Sequence, residues 1–181
     1  TSWTSVASGT MKGLNAVWGS SANDVWAVGS SLAKLRWNGT SWSEVNGVTS
    51  VWSLTDIWGS SANDVWAVGD NSTILRWNGT SWSSVAIWTS ETKSYPIGIW
   101  GSSANDAWVV GWGGTTLRWN GTSWFSMTSA VTYIDLSGVW GSSANDVWAV
   151  GWGDTIVRWN GTSWSRVASG ATRAPPLFGV C

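Results

Sequence analysis

Residues 18–29 read WGSSANDVWAVG, and residues 36–42 read RWNGTSW. The pair returns at 58–69 with 76–82, at 100–111 (as WGSSANDAWVVG) with 118–124, and at 140–151 with 158–164. Measured from Trp18 to Trp58, Trp100 and Trp140, the period is 40, 42 and 40 residues. A fixed period of this size belongs to arrays in which each unit buries its apolar face against its neighbours instead of within itself.

Inside one unit the runs of four to six residues are β-branched or aromatic, with Gly, Asn, Asp and Ser clusters between them, which predicts strands. Four strands fit each unit: one ending in the Trp of LNAVWGS, then DVWAVG, then ILRW, then TSWSSV. The Asn-Gly between the third and fourth predicts a type I′ hairpin turn with positive φ at both corners. The same Asn-Gly-Thr is a glycosylation acceptor at Asn38, Asn78, Asn120 and Asn160, for which the turn is the preferred explanation.

Four antiparallel strands per unit of about 40 residues make the blade of a β-propeller, an all-β fold whose radial packing leaves short, protected edges. Both faces of a blade are covered, so apolar residues need not alternate cleanly with polar ones. Every strand carries a tryptophan: Trp18, Trp26, Trp37 and Trp42 in the first unit, with equivalents in the other three. At ~25 cal/mol per Å², burying one indole of roughly 200 Å² contributes about 5 kcal/mol before entropy, so all sixteen are expected in the core. Arg36, Arg76, Arg118 and Arg158 are expected opposite Trp26, Trp66, Trp108 and Trp148, within cation–π reach. Asp24, Asp64, Asp106 and Asp146 are expected to shape the preceding turn by accepting backbone N–H groups.

Composition limits what such an array can do. The chain is 43% hydrophobic and 10% charged, enough to build a core and too little charged for disorder. A net charge of −1 with dispersed Lys and Arg argues against nucleic acid. No apolar run is long enough to cross a bilayer and no charged-then-apolar leader opens the chain, so it reads as soluble, with any export signal already removed. Histidine is absent and Cys181 is the single cysteine, so neither a zinc site nor an internal disulfide is expected.

The pairing of WGSSANDVWAVG with ILRWNGTSW resembles the short Trp-rich propeller repeats of bacterial surface and secreted proteins. It is similar to the blades of bacterial propeller lectins in its Trp-Gly, Asp-Val, Gly, Leu, Trp, Gly, Trp order. It is more distantly similar to the Asp-box repeats of sialidase-like propellers, although Asn38 to Trp42 is one residue shorter than that box. The resemblance implies an extracellular or cell-surface carbohydrate-binding module.

The copies differ where function is expected. The loops between second and third strands read GSSLA, GDNST, GWGGT and GWGDT, so Trp112 and Trp152 enter only the last two units, beside Asp70 and Asp154 in the loop set. The connections between units bring Trp52, then Trp88 with Glu91 and Tyr95, then Tyr133 with Asp135. In a propeller both sets emerge on one face, with the SSAND and NG turns on the other. Flat rings beside amides and carboxylates suit a sugar, so Trp52, Trp88, Trp112, Trp152, Asp70, Glu91, Tyr95, Tyr133 and Asp154 form the candidate ligand face.

No catalytic residue, metal ligand or cofactor is assigned, because like residues recur four times where catalysis needs unlike residues to converge once. A carboxylate pair drawn from Glu91, Asp135, Asp70 and Asp154 leaves glycoside hydrolysis as a minor alternative. The other alternative is a scaffold docking a surface protein or self-associating through its terminal strands. The whole chain, 1–181, reads as one propeller domain. Residues 1–10 are an unpaired fourth strand and 11–48, 49–90, 91–130 and 131–170 are blades. Residues 171–181 are the first strand of a further or composite blade, with Cys181 where a Trp stands in the other copies.

Overall fold

The computed structural model describes residues 2, 4–31, 33–48, 53–88, 95–127 and 133–170. Four antiparallel sheets follow one another along the chain. The first is β1 (Leu14–Ser21), β2 (Asp24–Gly29), β3 (Lys34–Trp37) and β4 (Trp42–Glu44), and the second β5 (Leu54–Ser61), β6 (Asp64–Gly69), β7 (Thr73–Trp77) and β8 (Trp82–Ser84). After β9 (Ile87–Trp88), the third is β10 (Pro96–Ser103), β11 (Asp106–Gly111), β12 (Thr116–Trp119) and β13 (Trp124–Ser126). The fourth is β14 (Leu136–Ser143), β15 (Asp146–Gly151), β16 (Thr155–Trp159) and β17 (Trp164–Arg166). These are four β-propeller blades, packed through their first strands: β1 on β5, β5 on β10, β10 on β14. No helix among the described residues is long and apolar enough to cross a membrane.

Register explains why the repeat is spelled as it is. Trp26 stands opposite Trp18 on one side and Arg36 on the other, and the other sheets repeat this row. One residue along, Gly19, Val25, Trp37 and Trp42 make a second row, which the pleat turns to the opposite face. The Trp26 row faces the next blade, and the Trp37–Trp42 row faces the previous one. Trp26 packs on Trp77 and Trp82, Trp66 on Trp119 and Trp124, and Trp108 on Trp159 and Trp164, with centroids 4.9–5.4 Å apart. Three apolar cores therefore lie between blades, each drawn from two sheets.

Not all sixteen tryptophans are core, as the repeat alone predicts. Trp18, Trp58 and Trp100 are half-buried, because each lies at the rim of an interface instead of within it, and Trp140, which packs against none of the three inter-blade cores, is 37% exposed. At the rim the ring covers a glycine: a Cβ at Gly59 would stand 2.6 Å from Trp18, and one at Gly101 2.5 Å from Trp58. Trp37, Trp42 and Trp148, in the outermost blades, are also only half-buried.

Two local expectations need correction. The NG hairpin is not type I′: Trp37 pairs with Trp42 across a four-residue loop, Gly39 alone takes positive φ (94°), and Asn38 does not. Asn38 Oδ1 accepts the N–H of Thr40 and Ser41 at 2.9 Å each, so the asparagine acts through its side-chain oxygen. Glycine is required beside it because a Cβ at Gly39 would lie 2.5 Å from Asn23 Oδ1 of the SSAND turn. Asp24, in turn, accepts the Ser20 hydroxyl and the Arg36 Nε–H, both at 2.6 Å. The conserved spelling of Asp and Arg thus builds an ion pair, found in all four blades at 2.6–2.7 Å. The guanidinium it fixes lies over the Trp of its own blade and one of the next: Arg76 is 4.7 Å from Trp66 and 5.5 Å from Trp119.

β9 has no counterpart among the described residues of the other blades. It lies parallel to β13 on the outer edge of the third sheet, pairing Ile87 with Trp124 and Trp88 with Phe125.

Candidate functional site

The variable loops share one rim, and backbone hydrogen bonds show why. In each blade the loop after the second strand donates an N–H to a carbonyl just before the first strand. Ser30 donates to Gly13, Asp70 to Ser53, Trp112 to Tyr95 and Trp152 to Asp135, at 2.8–3.1 Å. Loop and blade entry are thus tied together four times, while the SSAND and NG turns meet at the other rim.

In the third blade this tie creates an aromatic pair. Trp112 opens a short 3₁₀ turn, Trp112–Gly114, in which Gly113 and Gly114 take φ of 64° and 74°. The turn projects an indole that is 53% exposed, with the Tyr95 ring 5.3 Å away at 37°. The Thr115 hydroxyl donates to the Trp112 carbonyl at 2.7 Å and closes the turn. In the fourth blade Trp152 is 54% exposed, held in a loop where Asp154 adopts the left-handed conformation (φ 58°). Tyr133, at the blade entry, is 91% exposed.

Asp135 joins the two loops. Its Oδ1 accepts the Gly113 N–H at 2.7 Å, and its backbone carbonyl accepts the Trp152 N–H at 3.0 Å. One residue at the entry to the fourth blade therefore positions both exposed tryptophans. Its spacing from Tyr133 draws attention in the sequence, but its bridging role becomes visible only when consecutive blades are stacked.

The remaining candidates lie elsewhere or are engaged. Asp154 Oδ2 accepts the Ser169 hydroxyl at 2.6 Å and lines a shallow hollow with Arg166 and Gly170. Asp70 is exposed on the same rim but in the second blade, whose loop carries no aromatic residue. Trp88 enters the outer edge strand β9, and its side chain lies outside the described residues, as do Trp52 and Glu91. No group of three or more His, Cys, Asp or Glu that could hold a metal occurs among the described residues.

Two carboxyl environments stand apart from the rim. Asp146 is held below the ordinary carboxylate range by the Ser142 hydroxyl and by Arg158. Asp56, which sequence reading did not single out, behaves in the opposite way. Burial pushes its carboxyl up to about 6, against the pull of two backbone N–H groups. Those donors are Ile57 in its own strand and Ile99 in the next blade, each 2.8 Å away, so Asp56 pins the second blade to the third. Its equivalents are Ala16, Gly98 and Gly138, which cannot do this.

No protein-family model matches the chain, and no curated protein sequence matches it either. Solved structures do match in fold. YCF48 bound to D1 peptide is 16% identical with a TM-score of 0.72, over 94% of this chain and 57% of that one. Virginiamycin B lyase from Staphylococcus aureus is 18% identical with a TM-score of 0.74, over 93% and 59%. The extracellular domain of a hybrid two-component system from B. thetaiotaomicron is 12% identical with a TM-score of 0.68, over 92% and 23%. All are β-propeller proteins, and the chain spans less than two thirds of each.

Proposed function

We propose that this propeller is a non-enzymatic recognition module that binds carbohydrate through the rim of its third and fourth blades. The observation that carries the reading is Trp112 and Trp152, both more than half exposed and both fixed through Asp135. Exposed indoles held by backbone bonds are flat, preorganised surfaces for the C–H face of a sugar, and Tyr95 and Tyr133 add hydroxyls at the edge. The carboxylates there are engaged in holding loops, Asp135 by Gly113 and Asp154 by Ser169, which favours binding over glycoside hydrolysis. The extracellular or cell-surface location implied by the repeat resemblance belongs to the same reading.

The Trp112→Ala, Trp152→Ala double variant, with its strand content verified by circular dichroism, is expected to lose at least tenfold in affinity for oligosaccharides bound on a glycan array. Undiminished binding removes the assignment. A second reading, a peptide segment as ligand, has its own support in the similarly folded YCF48 bound to D1 peptide. A peptide library screened against the same pair of proteins separates the two, since aromatic platforms also take peptide side chains. A chromogenic glycoside panel tests the enzymatic alternative directly.

A further inference from the structure

Gly13, Ser53, Tyr95 and Asp135 hold equivalent places at the entries to the four blades, each accepting an N–H of its own blade's loop through the backbone carbonyl. The carbonyl does the structural work, so the side chain at this place can differ from blade to blade. On the third blade it is the Tyr95 ring, which packs on the indole of the same blade, Trp112, 5.3 Å away. On the fourth it is the Asp135 carboxylate, which turns to the preceding blade and accepts the Gly113 N–H through Oδ1 at 2.7 Å. Asp135 is therefore one hydrogen bond from the loop of each exposed tryptophan.

The other carboxylate oxygen, Oδ2, accepts no hydrogen bond among the described residues, and Asp135 is only half-buried. None of the ion pairs among the described residues involves Asp135, and Arg166 shares a hollow with a different carboxylate, Asp154. Trp112 belongs to a blade with a neighbour on either side and is as open as Trp152, 53% against 54%, so the exposure of the two indoles is a property of their loops. An indole face attracts a cation through its quadrupole, and a carboxylate attracts it through its charge; both repel an anion.

We propose that the sugar taken by this rim is an amino sugar with a free, protonated amine, its ring lying on an indole and its ammonium on Asp135 Oδ2. The inference rests on the carbohydrate reading and adds a charge preference to it. A cationic sugar gains from ring and carboxylate together, an acetylated one loses the charge term, and a uronate meets repulsion. Short β-linked oligomers of glucosamine and of N-acetylglucosamine, equal in length, carry the same ring and differ in that charge, which makes them the probes.

Titration calorimetry at about pH 5, where the amines are charged, is expected to show about tenfold tighter binding of the glucosamine oligomer than of its acetylated form, and no binding of a glucuronate oligomer. At about pH 9 the amines lose their charge, and the preference of the wild type is expected to vanish. Asp135→Asn keeps an oxygen for the Gly113 N–H and the backbone carbonyl for Trp152 while removing the charge, so the two affinities are expected to become equal. Equal affinities in the wild type at the lower pH, or tighter binding of the acetylated oligomer, overturn the proposal and leave the carbohydrate reading in place. A preference that survives in the variant, or in the wild type at the higher pH, overturns it as well; the wild-type series needs no variant to fold. Tighter binding of oligolysine than of the glucosamine oligomer overturns it in favour of a peptide ligand. Binding of neither oligomer also overturns it, and the glycan array then decides separately whether the rim takes carbohydrate at all.

Discussion

A single methyl group is the finest probe of how the blades meet. At Gly101 a Cβ would lie 2.5 Å from the Trp58 ring and 2.8 Å from the Asp106 carbonyl. Gly101→Ala should therefore destabilise by about 1–3 kcal/mol, the range for overpacking a tight site. At Gly19 the nearest atoms are Val25 Cγ2 at 3.0 Å and the Asp24 carbonyl at 3.2 Å, neither of them a ring atom, so Gly19→Ala should cost distinctly less in urea melts. Asp56 offers a test by pH. Its folded carboxyl titrates at about 6, above the ordinary 3.8, so the folded state holds its proton more tightly. The resulting contribution to stability is complete below about pH 4 and is lost as pH rises to about 6, a change of up to ~3 kcal/mol. The stability difference between wild type and Asp56→Asn should shift across that window and level off outside it. A difference independent of pH would show that burial does not govern this group.

Each hairpin depends on an acceptor, not on an unusual corner. Asn78 Oδ1 takes the N–H of Thr80 and Ser81 at 2.9 Å each. Asn78→Ala is expected to cost roughly 1 kcal/mol, while Asn78→Asp, which keeps the oxygen, should remain within about 0.5 kcal/mol of wild type. Chemical denaturation at neutral pH distinguishes them, and equal losses would point to another role for the amide. At this scale the sequence was legible in element type and order: the four-strand grammar and the Arg–Trp register follow from composition and spacing. The turn class was not, because Asn-Gly serves a two-residue loop and a four-residue loop equally well. β9 was not legible either, since two residues carry no periodicity and their partner is a strand of another blade.

For the molecule as a whole, position in the array decides what a given letter is worth. Trp108 is fully buried between two sheets, so Trp108→Ala should cost about 3–5 kcal/mol. Trp148 is the same letter in the same register, yet half-buried. Trp148→Ala should cost under about 2 kcal/mol, because less area leaves water on folding. Equal costs in dilute thermal melts would contradict this placement of the interfaces. The candidate rim follows the same logic. Trp112, Trp152, Tyr95 and Tyr133 stood out because they break the repeat, but Asp135 acts by reaching from one blade entry into the preceding blade's loop.

By itself the sequence determined the strand grammar, the propeller blade and the side of it that varies, because these rest on strand-forming runs between turn residues and on a period of about 40 residues carried along one chain. Tertiary structure alone decided which tryptophans are core, which carboxyl is buried and which loops are joined. Those outcomes depend on what a neighbouring sheet places against a side chain, and identical repeats cannot encode the difference between having a neighbour and lacking one.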